Sequence, residues 1–246
     1  MEREQIQSEI SSFCSKLMLS QNPLNLCKAE ATPKQEQFVH RIFSYELEYR
    51  EYCRRARLLK KADFPVYKTL EGYDFHTIKF PTSLTRDDLL TGQFIKDKRN
   101  IVMYGPVGTG KTHLATAIGV KACEVGIETR FFTAASIVIK LSEFKRAGTL
   151  EKFIKELTKA ELLIIDEWGY VPVDKEGAQL LFRIISDSYE TRSLVITTNL
   201  EFSKWGSVFT DDQMAAAMID RLAHHGHLVV FEGESYRMKH ALMKQK

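Results

Sequence analysis

The sequence predicts an α/β fold: a three-layer sandwich built on a parallel five-stranded sheet, preceded by a small helical module. Three observations carry this. The run Gly105-Pro106-Val107-Gly108-Thr109-Gly110-Lys111-Thr112 reads G-x-x-x-x-G-K-T. It lies between a short apolar run, Ile101–Tyr104, and a stretch of helical spacing that starts at Lys111. From there apolar runs of strand length alternate with helical stretches, the pattern of parallel strands joined by right-handed crossovers. Two of those runs end in polar residues, Asp166-Glu167 and Asn199, at the strand edge where open α/β sheets bind ligands.

In chain order the expected core elements are as follows. Strand one is Ile101–Tyr104, and its helix runs from Lys111 to about Val125, with Gly126 just past the end. Strand two is Arg130–Thr133, followed by two helical stretches, Ser136–Lys145 and Leu150–Lys159, parted by Gly148. Strand three is Glu161–Asp166 and the next helix Asp174–Thr191. Strand four is Leu194–Thr198, then a helix Asp211–Ala223 and strand five, Leu228–Phe231. Residues 1–62 read as a helical module, 63–99 as a linking segment broken by Pro65, Gly72 and Pro81, and 100–246 as the α/β domain. Leu84–Lys96 is a short helix candidate weakened by Gly92.

Composition bounds the class. A chain of 246 residues with 44% hydrophobic and 27% charged residues has room for one or two globular domains. No apolar run has the length of a membrane span, and the polar start shows no signal peptide. Cys14, Cys27, Cys53 and Cys123 have no C-x-x-C spacing and read as reduced packing residues of a cytoplasmic protein. Net charge is only +3, so any argument for nucleic acid must be local.

In the N-terminal module, Ile6, Ile10, Phe13 and Leu17 mark a helix over Glu4–Leu19, with Ser20–Pro23 as its end. A longer helix begins at Thr32, where Thr32 and Gln35 have capping-box spacing and Pro33 takes the first helical position. Phe38, Ile42, Tyr45, Tyr49, Tyr52, Ala56 and Leu59 form one apolar stripe along it. Its C-terminal end is basic, with Arg54, Arg55 and Arg57. Such residues either make a solvated face at a helix C-terminus or contact a phosphate backbone.

The chemistry of the glycine run follows from its residue types. Gly105, Gly108 and Gly110 allow backbone N–H groups to converge on one anion, and the following helix N-terminus adds partial positive charge. Lys111 reaches the β- and γ-phosphates of a nucleotide, and the Thr112 hydroxyl is a Mg²⁺ ligand. Pro106, Val107, Thr109 and His113 complete the wall. Asp166 is placed to hold Mg²⁺, Glu167 to activate water, and Asn199 to hold that water or the γ-phosphate. Arg221 and Arg237 are candidates for supplying charge to a γ-phosphate. His224, His225 and His227 are metal-ligand types, but no acid or cysteine beside them completes a set.

Together, Gly105–Thr112, Leu162–Tyr170, Thr198-Asn199, Trp205-Gly206, Asp220–His225 and the ending Gly233-Glu234-Ser235-Tyr236-Arg237 resemble the IstB-like AAA+ ATPases, helpers of insertion-sequence transposition related to DnaC-like helicase loaders. Lys68–Phe75 resembles the family's segment leading into the ATPase core. The resemblance implies ATP and Mg²⁺ as cofactors and strand order 5-1-4-3-2. Lys111 and Thr112 would be Walker A, Asp166 and Glu167 Walker B, and Asn199 sensor 1. Arg221 would be a finger acting on a neighbouring subunit, and Arg237 the sensor 2 residue. Trp168 departs from the aliphatic residue usual there. Fifteen residues follow Phe231, so a reduced lid is expected. In relatives an extra helix between strands two and three faces nucleic acid, which would make Lys140, Lys145 and Arg146 DNA contacts.

Two functional classes stay open on the sequence. One is an ATP-dependent helper that oligomerises on duplex DNA and stimulates a transposase. The other is a loader acting on a replicative helicase. A small-molecule kinase is disfavoured, because Glu167, Asn199 and Arg221 form a set suited to hydrolysis.

Overall fold

A computed structural model describes residues 2–170, 173–209 and 211–239. The chain divides into two compact units, Met1–Arg57 and Leu58–Lys246, and the division falls inside one long helix.

The first unit holds α1 (Arg3–Lys16), α2 (Asn22–Glu30) and most of α3 (Pro33–Ala62). The sequence pattern ends a helix at Ser20–Pro23; the structure starts one there. Pro23 lacks the N–H that a first helical turn leaves unpaired, so it opens α2. Thr32 and Gln35 cap α3 as expected, with Gln35 Oε1 2.8 Å from the Thr32 amide. Ile6, Ile10, Cys14 and Leu24 form a small core against Val39 and Phe43 of α3. The face of α3 that packs is therefore not the stripe read from the sequence: Phe38, Ile42, Tyr45, Tyr49 and Tyr52 are exposed. On the packed face Glu36 is fully enclosed, and its carboxylate accepts from Arg3 at 2.9 and 3.0 Å and from Gln7 at 2.8 Å. The Arg3 guanidinium holds that carboxyl below the usual range.

The second unit is an α/β sandwich with one sheet. Its strands are β1 (Ile78–Lys79), β2 (Asn100–Tyr104), β3 (Thr129–Thr133), β4 (Leu162–Trp168), β5 (Ser193–Thr198) and β6 (Gly226–Phe231). They lie in the order β1-β6-β2-β5-β4-β3. β2 to β6 are the five parallel strands, in the expected order. The five-stranded expectation needs one correction. Ile78 and Lys79 pair antiparallel with Phe231 and Val230, so a two-residue sixth strand covers the β6 edge. So short a strand has no readable alternation, which is why the segment resembles a linker in sequence.

Helices α4 (Arg86–Thr91) and α5 (Gln93–Lys96) meet at Gly92, whose φ of 71° ends the first. α6 (Lys111–Glu124) follows the glycine run, and α7 (Ala134–Arg146) and α8 (Leu150–Leu157) follow β3. α9 (Lys175–Ser188), α10 (Trp205–Phe209), α11 (Asp212–His224) and α12 (Tyr236–Lys239) complete the unit. Two apolar clusters sandwich the sheet. One places Leu114, Ala115 and Ile118 of α6 with Leu70, Tyr73 and Phe75 of the lead-in segment. The other places Ile137 and Leu141 of α7 with Leu181 and Ile184 of α9. No described helix is long and apolar enough to cross a membrane.

Trp168 is enclosed at the end of β4, with its ring 5.3 Å from Trp205 and 5.0 Å from Phe209. Its indole N–H has no hydrogen-bond partner among the described residues. Trp168→Phe deletes the unpaired donor and keeps a ring, so stability to urea should change by less than about 1.5 kcal/mol. Trp168→Ala should cost ~3–5 kcal/mol.

Candidate functional site: the P-loop and the edge of the sheet

The glycine run leaves β2 and enters α6 through three left-handed or near-mirror residues: Gly105 at φ 154°, Gly108 at 82° and Gly110 at 97°. Gly108 also has no room for a side chain, since a Cβ there would lie 2.0 Å from Ser235 Oγ. The loop is thus clasped by the Gly233–Arg237 segment, with the Tyr236 amide donating to the Gly108 carbonyl at 3.0 Å. Thr109 Oγ1 donates to the Pro106 carbonyl at 2.8 Å and tightens the turn. Val107 is exposed at the loop's rim.

Lys111, the first residue of α6, is buried, and its ammonium donates to the carbonyls of Gly105 and Pro106, each at 2.7 Å. Burial pushes its pKa down to about 8; Asp166 opposes the shift and Arg237 adds to it. Arg237 on α12 lies near enough to Lys111 to act on its charge. The β6 edge delivers that segment beside the loop.

Thr112 and Asp166 meet at the C-terminal end of the sheet, and Asn199 directly follows Thr198, the last residue of β5, which pairs with the ends of β2 and β4. Thr112 Oγ1 donates to Asp166 Oδ1 at 2.9 Å. Asp166 is buried, and the same oxygen accepts from Thr197 Oγ1. Two hard oxygen donors 2.9 Å apart, one a carboxylate, match the preference of Mg²⁺. Asn199 has a buried side-chain oxygen, Oδ1, with no hydrogen-bond partner among the described residues. A buried acceptor without a donor at a strand end is the condition a bound water or protonated ligand would satisfy.

Glu167 is aimed by the backbone. The β4–β5 register slips between Ile165 and Trp168, a bulge that places one extra residue in β4. Glu167 sits there at φ 58°, exposed while Asp166 and Trp168 on either side are buried. Its amide donates to Thr197 Oγ1 at 3.1 Å. Thr197 thus holds both acids, one by each end of its hydroxyl. Sequence reasoning missed Thr197, because in a Leu-Val-Ile-Thr-Thr-Asn run a buried threonine looks like an ordinary strand residue.

Tyr73 was also missed as a site residue. Its hydroxyl donates to the Gly110 carbonyl at 3.1 Å, and its ring lies 5.0 Å from both His113 and Phe75. Burial holds its hydroxyl protonated well above the usual range. His113 Nε2 lies 3.0 Å from the Thr69 carbonyl, so the lead-in segment packs directly against the first turn of α6.

Arg221 lies elsewhere. Near the end of α11, it donates to the Ala217 carbonyl at 3.0 Å, and its guanidinium stacks 4.9 Å above the Phe182 ring of α9. Among the described residues it makes no hydrogen bond or ion pair with the P-loop. The sequence-predicted basic residues divide between the units. Arg54, Arg55 and Arg57 are exposed on the first; Arg55 pairs with Glu51 at 3.5 Å. On the second, Lys140 pairs with Asp63 at 3.6 Å and Lys145 with Glu176 at 2.9 Å, and Arg146 is exposed. Lys61, Lys152, Lys155 and Lys159 line a shallow cleft of 460 Å³ with Glu156.

With this geometry in place, comparison with known proteins is informative. The IstB-like ATP binding protein family matches residues 17–244. The chain belongs to that family. A Bacillus thuringiensis subsp. berliner protein of insertion sequence IS232, described as ATP-binding, is 38% identical over 83% of this chain and 82% of its own length. The corresponding IS21 protein of Pseudomonas aeruginosa is 39% identical over 74% of this chain and 68% of its own. Among solved structures, AMPPCP-bound DnaA from Aquifex aeolicus superposes with a TM-score of 0.54 at 22% identity, over 72% of this chain and 54% of that one. The DnaC helicase loader gives 0.53 at 22%, over 67% and 96%. These likenesses establish the AAA+ P-loop fold of this IstB-like chain.

The depressed pKa of Lys111 makes nucleotide binding proton-linked. A triphosphate beside the ammonium raises its pKa again, so binding takes up a proton wherever the free lysine is partly neutral. Affinity for a non-hydrolysable ATP analogue should be flat below pH 8 and fall by up to about tenfold per pH unit above it. Calorimetry at pH 8.5 in buffers of different ionisation enthalpy should show proton uptake, and Lys111→Arg should abolish it.

Proposed function

We propose that this protein is an ATP-hydrolysing, DNA-binding helper of transposition, which oligomerises on duplex target DNA and stimulates a partner transposase. The observation that carries the hydrolytic part is the bond of Thr112 to Asp166 beside Lys111, with Glu167 turned outward by the bulge and Asn199 following β5 at the same end of the sheet. Membership of the IstB-like family, with relatives encoded in insertion sequences, supports the transposition setting.

In this reading the loop amides and Lys111 receive the phosphates, Lys111 exchanging its two carbonyl partners for phosphate oxygens. Thr112 and Asp166 would hold Mg²⁺, which when bound neutralises charge on the phosphates. Asn199 Oδ1 accepts a hydrogen bond from the attacking water, and Glu167 takes its proton. Thr197 keeps the two acids in different roles: its O–H donates to Asp166, and its oxygen fixes the Glu167 backbone. Arg237 lends positive charge from the C-terminal side. Arg221, held against Phe182 away from its own P-loop, serves the site of the next subunit. Such a head-to-tail contact propagates as a ring or filament. The DnaC likeness rests on fold alone and lends no support to a helicase partner.

Glu167→Gln should keep nucleotide binding and lower turnover ~10²–10⁴-fold, because an amide accepts no proton. Arg221→Ala should spare nucleotide binding by monomers and lose ATP-driven assembly and turnover. Mixed with Lys111→Ala it should regain activity at interfaces that pair an intact pocket with an intact finger. Full turnover in Glu167→Gln, or no recovery in mixtures shown to co-assemble, would refute these roles.

DNA binding should require ATP and weaken steeply with salt. Replacing Arg54, Arg55 and Arg57 by alanine should flatten the slope of log affinity against log salt by roughly 0.9 for each phosphate no longer neutralised. Replacing Lys145 and Arg146 should act in the same direction. Fluorescence anisotropy on a labelled duplex reads both, and unchanged slopes would return these residues to a solvated face.

A further inference from the structure

The end of α11 carries a cluster that the nucleotide site does not use. His224 is the last residue of that helix and His225 its C-cap. The histidines lack an acid beside them in sequence; the fold supplies one. Glu190, two residues beyond α9, comes up so that one ligand atom each of Glu190, His224 and His225 lie within 4.8 Å of one another.

We propose that Glu190, His224 and His225 form a site for a divalent transition metal of the zinc class. Two imidazoles and one carboxylate are the donor types that such ions take, whereas Mg²⁺ and Ca²⁺ prefer all-oxygen sets. His225 Nε2 lies 2.7 Å from Glu190 Oε1, yet this nitrogen is sealed from solvent and makes no hydrogen bond of acceptable geometry among the described residues. The contact is close but off-line. The two atoms need to part only to about 3.3 Å to become neighbouring ligands of a tetrahedral ion with bonds of ~2.0–2.1 Å. The rings of His224 and His225 stand at 85° with centroids 4.5 Å apart.

The surroundings hold these groups in place. Tyr189 Oη lies 2.7 Å from His224 Nδ1, an outer partner of the kind that orients a ligating imidazole. The His225 carbonyl accepts from the Asn100 amide at 2.7 Å, which anchors that residue to the start of β2. Glu190 sits at φ 56°, and the amides of Thr191 and Arg192 after it return to the Ser188 carbonyl at 3.1 and 3.2 Å. Three protein ligands leave the fourth position open to water. A metal here clips the turn after α9 to the end of α11, one helical turn beyond Arg221.

The proposal is independent of the nucleotide reading, because its test reads metal binding alone. Full-length protein freed of metal with EDTA is titrated with ZnCl₂ by calorimetry, without nucleotide. One ion should bind per chain, the melting temperature should rise, and amide exchange in the last turn of α11 should slow. His224→Ala and Glu190→Gln should each weaken binding at least tenfold and abolish both effects. Glu190→Gly tolerates the left-handed backbone, so it keeps the metal-free melting temperature while losing the ion. Absence of saturable binding by the wild-type chain overturns the site. So does equal binding by the wild-type chain and Glu190→Gly, which would place the ion elsewhere.

Discussion

The arrangement of the second unit turns on one carboxylate oxygen. Asp166 Oδ1 accepts from Thr112, at the start of α6, and from Thr197, near the end of β5. These two hydroxyls come from elements far apart in sequence, and the aspartate comes from a third. A buried carboxyl group is tolerated only when hydrogen-bonded, so the strand ends must arrive in register for the fold to be stable there. The constraint that satisfies Asp166 is also the one that assembles the phosphate-facing edge.

From that point the neighbouring features follow. Because Thr197 binds Asp166 with its proton, its oxygen is left to accept from the Glu167 amide, in the bulge. The bulge gives adjacent acids opposite surroundings, one buried and one in solvent. Trp168 then returns to the interior, against Trp205 and Phe209, and locks the exit of β4. An aliphatic residue there would leave a smaller wedge under the same bulge. On the other side of the P-loop, Tyr73 and Ser235 press on Gly110 and Gly108 from segments at opposite ends of the unit. The loop is therefore shaped by contacts it does not itself encode.

The first unit obeys a different logic. Its core is small, and beside it a fully enclosed Glu36 pairs with the half-exposed Arg3. Periodicity along α3 selects the aromatic stripe as the packed face. The helices that precede it instead cover Val39 and Phe43, leaving Phe38, Ile42 and the tyrosines exposed. A helix with two apolar faces does not announce which one its own chain will bury. That depends on where α1 and α2 lie, and Pro23, which starts α2, reads in sequence as an end.

What the sequence determined by itself was whatever depends on local chemistry and short-range order. It determined the five core strands, the glycine loop, and the acids and amide at strand ends, while the order of the strands followed only from the family resemblance. Strand length, helical period and glycine spacing are local properties, and the family motifs lie in unbroken runs. What only the tertiary structure decided were relations between distant residues. These are the two-residue β1 on the β6 edge, the Thr197 hydroxyl shared by two acids, the slip that turns Glu167 outward, and the approach of Glu190 to His224 and His225. Each depends on where separate elements end once packed against the sheet, and no pattern within one segment carries that information.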